Sequence, residues 1–277
     1  MFRPLRLAAA LLTLFVYAPY IDAAVNADDA WKDMMVKALD AAGSKDFAKS
    51  EQLFLNAVHE AERFGPQDAR VGSTLNSLGL VYRAEKKYAD AERSYKRALD
   101  ILDNAYGSDS IDVGNVNYNI AVVLLDQEKY AVAIPVLQKS LATYSRKFGM
   151  ASLKTASVLC MIGDSYRAER SWPEAETPLK RCAQIREADG GIVNADLGEA
   201  LNSLALVYMQ EGKYILADSQ FKLAERIRER TLGITSSALA DTLEAHGNLL
   251  KQMGRDVEAN KDLTLAAAIR RNDKKGK

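Results

Sequence analysis

Leu75, Leu78, Gly79 and Tyr82 fall at i, i+3, i+4 and i+7, and Tyr88, Ala91, Tyr95 and Ala98 follow with nearly the same spacing. Side chains so spaced share one face of a helix, so the pattern predicts two consecutive amphipathic helices. Between them Glu85, Lys86 and Lys87 offer no apolar position. Beyond them Ala105, Tyr106, Gly107, Ser108 and Asp109 supply a glycine stop and then capping residues. From Gly72 to Ile111 the expected order is helix, tight turn, helix, loop.

This unit recurs. Glycine returns every 42 residues at Gly65, Gly107, Gly149, Gly191 and Gly233, and an aromatic keeps the same step at Tyr88, Tyr130, Trp172 and Tyr214. Small residues form two further columns, Ala91, Ala133, Ala175, Ala217 and Ala259, then Ala98, Ser140, Cys182, Ala224 and Ala266. A bulky side chain at these positions would push the paired helices apart. A fixed period between about twenty and fifty residues marks stacked supersecondary units, each completed by its neighbour.

The columns resemble the tetratricopeptide (TPR) family. Leu78-Gly79, Tyr82, Ala91, Tyr95 and Ala98 fit its pattern, as do Ile162-Gly163, Tyr166, Ala175 and Leu179, and Leu204-Ala205, Tyr208, Ala217, Phe221 and Ala224. That family's usual period is about 34 residues. Eight more per unit correspond to about two extra helical turns, which resembles the long-repeat branch typified by kinesin light chain. The family's unit-ending proline is absent, replaced by the glycine loop. The resemblance implies an all-α fold, a right-handed α-solenoid of about six antiparallel helix pairs. The units are expected at about 31–67, 68–109, 110–151, 152–193, 194–235 and 236–271, forming one solenoid domain over 28–271 with a basic tail at 272–277. The last unit degrades as an outer cap should, with Asp256 in the aromatic column.

The first residues read differently. Arg3 and Arg6 precede an apolar stretch from Leu7 to Ala18, with small residues at Ala23, Ala24 and Ala27, which is a signal-peptide profile. Residues 1–27 are expected to be removed, with cleavage after Ala23 as the alternative to Ala27; an uncleaved anchoring helix is the other reading. Pro4, Pro19 and Asp22 bracket a segment short of the roughly twenty apolar residues a span needs. The expected address is periplasmic or secreted. No stable membrane insertion is expected once the segment is removed.

Removing 1–27 takes away Arg3, Arg6 and Asp22 and leaves 35 basic and 36 acidic residues, a net charge of −1. Long-range attraction to nucleic acid is therefore not encoded. Cys160 and Cys182 are the only cysteines. By register Cys182 replaces a buried alanine and Cys160 lies on the groove side of its helix, which places them poorly for a disulfide.

Catalytic chemistry is absent from the pattern. His59 and His246 are the whole histidine supply, and His246 occupies the core column of Leu78, Ile120, Ile162 and Leu204. His59-Glu60-Ala61-Glu62 lacks the second histidine of a zinc helix, and neither a nucleophile elbow nor a phosphate-binding loop occurs. Neither enzyme activity, nor a cofactor, nor a metal is expected.

What remains is the concave face that the first helix of each unit should line. Counting from Gly72, Gly114, Ala156, Gly198 and Ala240, its fifth, sixth, ninth and twelfth positions include Asn76, Leu80, Arg83, Tyr118, Asn119, Val122, Arg167, Asn202, Met209, Asn248 and Lys251. Asparagine offers both donor and acceptor and suits the main chain of an extended peptide, while the cations could pair with acidic groups. The Lys and Asn pairing with which TPR relatives clamp a terminal carboxylate is incomplete here. Asn76 and Asn119 match the asparagine component, but none of these units has a Lys at its fifth position. The expected function is a noncatalytic scaffold that holds a protein or extended peptide in this groove. The alternative is a structural subunit of an envelope assembly, associating through terminal or convex surfaces.

Overall fold

The computed structural model describes residues 28–190 and 194–275. The expected signal peptide, residues 1–27, and Gly191 lie outside them. The described residues form twelve helices and no strand. These are α1 (28–43), α2 (Phe47–Glu62), α3 (Ala69–Ala84), α4 (Tyr88–Tyr106), α5 (Ile111–Asp126), α6 (Tyr130–Phe148), α7 (Leu153–Ala168), α8 (Trp172–Gly190), α9 (Ala195–Gln210), α10 (Tyr214–Leu232), α11 (Ser237–Gln252) and α12 (Asp256–Lys275). From α3 onward, odd helices and even helices each begin at a 42-residue step. The sequence period is therefore the period of the backbone.

Two devices make each hairpin. Odd helices start with a side-chain cap: Asp68 accepts from Arg70 N, Ser152 from Thr155 N, Asn194 from Asp196 N and Leu197 N, and Ser236 from Leu239 N. These bonds satisfy amide donors that a helix leaves open at its first turn. The tight turns to the even helices are closed by backbone alone. Lys87 N donates to Tyr82 O at 2.8 Å, and Lys129, Ser171, Lys213 and Arg255 make the same bond to Leu124, Tyr166, Tyr208 and Leu250. The residue before each donor is left-handed: Lys86, Glu128, Arg170, Gly212 and Gly254 have φ of 61°, 58°, 58°, 73° and 71°. This is the Schellman ending, and its left-handed residue costs a side-chain-bearing amino acid about 1–2 kcal/mol. Polarity alone marked these turns in the sequence; the glycine-like position inside them did not show.

The chain divides into two compact units, one ending at Val123 and the other beginning at Leu124, within α5. In the first, Phe54, Leu78 and Val81 pack with Ala38, while Tyr95, Ala98, Ile101 and Leu102 pack with Val71, Leu75 and Val116. Gly79 explains how close α3 and α4 come, because a Cβ there would sit 2.5 Å from the Tyr95 ring. In the second, Leu179, Leu204, Phe221 and Leu249 share one cluster and Ala156, Leu159, Ile185, Leu201 and Ile227 another. The two columns of small residues are buried throughout, from Ala91 and Ala98 to Ala259 and Ala266. They are the seams along which paired helices meet.

One expectation is overturned. Cys160 on α7 and Cys182 on α8 form a disulfide, with Cα atoms 5.5 Å apart. Residue 160 is four places after Ala156 and three before Gly163, both buried against α8's side of the helix. It therefore flanks the α8-facing stripe as well as the outer face. A flank position on a closely packed pair is within bridging range.

Candidate functional site

The odd helices carry the residues that the spacing assigned to a binding face, and none of them is buried. In the first unit Asn76, Arg83, Tyr118, Asn119 and Val122 are half-buried and Leu80 is exposed. In the second Arg167, Asn202 and Met209 are half-buried, and Asn248 and Lys251 are exposed. Their helix neighbours Leu78, Ile162, Leu204 and Leu250 face the core.

Some of this polarity is used within the protein. Asn119 Nδ2 donates to Asn76 Oδ1 at 2.9 Å, linking α5 to α3. Each amide keeps its other polar end for another partner. Arg167 Nε donates to Asp164 Oδ1 at 3.1 Å along the same helix. Asn202 stands in the Asn76 column, but the residue 43 places on is Ala245, where Asn76 has Asn119. Its side-chain carbonyl is enclosed without a donor.

The sequence also missed what surrounds His246. This residue is 2 % exposed and stacks on Phe221, with ring centroids 5.5 Å apart. Its Nε2 lies 3.0 Å from Asp218 Oδ1, and its Nδ1 lies 2.7 Å from Glu225 Oε1 and 3.3 Å from Asp262 Oδ2. Burial alone would lower the imidazole pKa, but the hydrogen bonds to Glu225 and Asp218 and the charges of Glu225 and Asp262 outweigh it, so the net shift is upward. Asp218, raised by burial but held by Lys222, His246 and Arg255, falls to about 2. Asp262 is pushed up by burial and by Glu225. Glu225, His246 and Asp262 bring ligand-type atoms within 4.8 Å of one another. Both ring nitrogens are engaged by carboxylates, so the grouping is a hydrogen-bonded cluster closed around the ring.

Helix hairpins that recur at a 42-residue step and are closed by one kind of turn define a helical repeat protein. The chain belongs to the tetratricopeptide repeat family, whose model matches residues 34–104 and 112–188, just over half of its 277 residues. No curated protein matches the sequence. Among solved structures, BtubC (BKLC) from P. vanneervenii is similar at a TM-score of 0.64 and 25% identity, over 78% of this chain and 84% of that one. The nearly identical TPR-like repeats of a Podosopora anserina protein described as a kinesin light chain give 0.62 and 15%, over 74% and 97%. YrrB, described as a TPR protein with an unusual peptide-binding site, gives 0.56 and 20%, over 77% and 92%. The kinesin-light-chain likeness read from the 42-residue unit thus reappears in three dimensions. No described helix is long and apolar enough to cross a membrane.

Proposed function

We propose that this chain is an exported, noncatalytic platform that holds a protein or extended peptide against the outward faces of its odd helices. The observation that carries the reading is that Asn76, Leu80, Arg83 and Asn119 in the first compact unit, and Asn202, Met209 and Lys251 in the second, are left half-buried or exposed by helices whose opposite faces are packed. Membership of the tetratricopeptide repeat family supports it, as does the similarity to YrrB, itself described as having a peptide-binding site. Asparagine amides would hold main chain, Leu80, Val122 and Met209 would take apolar side chains, and Arg83, Arg167 and Lys251 would favour acidic ones. Helices fixed by packing confine the ordering cost mainly to the ligand. Export rests on the basic-then-apolar leader within residues 1–27, and the Cys160–Cys182 bond suits an oxidising compartment.

Alanine at Asn76, Asn119 and Asn202 together tests the reading. Capture of a partner from the envelope fraction should fall about tenfold, as for loss of contacts worth about 1.4 kcal/mol, while circular dichroism shows the helices intact. Undiminished capture by a folded variant removes these faces from the account.

A second reading, assembly through other surfaces, is favoured by Ile215 and Val257. They sit 42 residues apart at the starts of α10 and α12 and are 80% and 86% exposed. Concentration-dependent self-association that Ile215→Ser and Val257→Ser abolish would support it.

A further inference from the structure

The last three helices, α10 to α12, depart from their equivalents in a coordinated way. His246 stands where other repeats have Leu78, Ile120, Ile162 and Leu204. Glu225 stands where they have Leu99, Leu141 and Ala183, and Asp262 where they have Ser94, Val136, Pro178 and Gln220. The histidine and Glu225 thus both replace apolar or small residues, and they meet in space although they lie on different helices. Burying ionisable groups costs free energy that a leucine at the same place does not. Packing alone gives no reason for the exchange.

The charged groups around the ring come from every neighbouring segment that supplies one. Asp218, Lys222 and Glu225 belong to α10, Arg255 to the turn before α12, and Glu258, Lys261 and Asp262 to α12. Lys222 Nζ and Arg255 Nη1 both bond Asp218, each at 2.8 Å, so that carboxylate has cations besides the histidine. Glu225 and Asp262 bond only the ring among the described residues. With both nitrogens protonated, Nε2–H donates to α10 and Nδ1–H lies between α10 and α12. A neutral ring has one N–H. If Nδ1 loses its proton, a lone pair then faces two carboxylates from different helices, and the charge of Lys261 acting on Asp262 offsets only part of their repulsion.

We propose that His246 is a proton-operated clamp that fastens α12 to α10 across α11, closed while the imidazole carries both protons and released as pH rises. The clamp is independent of what the odd-helix faces bind. Its sign follows from linkage: with the folded-state pKa above the unfolded value of about 6.5, the stabilisation is complete below about pH 6.5 and is lost as pH climbs through the raised value. Release lets α12 lift and uncovers Ala259, Ala266 and Ile269.

The test uses the whole mature chain and two observables. Hydrogen-exchange protection of α12, corrected for intrinsic rates, should fall about threefold or more between about pH 6 and about pH 9, while that of α4 stays level. In parallel, the imidazole carbon resonance of His246 should titrate above the solution imidazole value of about 6.5. A variant carrying the residue types of the other repeats, His246→Leu with Glu225→Leu and Asp262→Gln, should remain folded and lose the pH dependence. The single variant His246→Leu serves as a second control. Equal pH dependence in the wild type and the triple variant overturns the clamp, as does titration of His246 at or below the solution value. Zinc-induced protection of α12 at about pH 8 that the triple variant lacks would also overturn it, by showing that Nδ1 holds a metal in place of a proton.

Discussion

The α3–α4 and α11–α12 pairs share one frame and fill it with different chemistry. In the first, Leu78 is buried against apolar neighbours, and the neighbouring Gly79 admits the Tyr95 ring. In the second, His246 takes the place of Leu78 among three carboxylates, and Gly247 admits Leu263. The left-handed turn residue is Lys86 in one and Gly254 in the other. The comparison separates two kinds of information: the frame is set by where small residues and turn endings fall, while the polarity of the interior varies from repeat to repeat without shifting a helix end.

The sharpest way to break the comparison is to remove the ring that fills the first pair. Tyr95→Ala should cost about 3–5 kcal/mol by urea unfolding, with no dependence on pH, because the side chain is fully buried among apolar groups. Next in size is the bond that closes α7 on α8: reducing Cys160–Cys182, or replacing both by alanine, should cost about 3 kcal/mol for a loop of this length. Gly79→Ala and Gly247→Ala should each cost about 1–3 kcal/mol through overpacking. The larger loss is expected at Gly79, where an added Cβ would meet the Tyr95 ring at 2.5 Å, against 2.7 Å to Leu263 Cγ at Gly247. The smallest effects are in the turns and have opposite signs. Lys86→Gly should stabilise by up to about 1 kcal/mol and Gly254→Ala should destabilise by about the same, read as shifts in the urea midpoint.

Much of the frame was legible in the chain. The 42-residue step, the buried alanine columns and the burial of His246 all follow from periodicity, because a repeat displays the same packing constraint many times over. What escaped are interactions made once. Asp218, Glu225 and Asp262 lie on two other helices, up to 28 residues from His246, and nothing in their local spacing marks convergence on one ring. Cys160 was assigned to a single face, although a flank position serves both the groove side and the seam. The left-handed turn column was hidden because only Gly212 and Gly254 carry the residue that advertises it. At the proposed face the Asn76–Asn119 bond was not legible, since it joins two repeats through side chains 43 residues apart.

The most direct measurement of the central claim is site-specific photo-crosslinking in the cells that make the protein, with the reactive group placed in turn at Leu80, Met209, Ile215 and Val257. The account predicts that a partner is trapped from Leu80 and Met209, on the odd helices, and not from Ile215 or Val257, on the even ones. Adducts arising only from Ile215 and Val257 would contradict it.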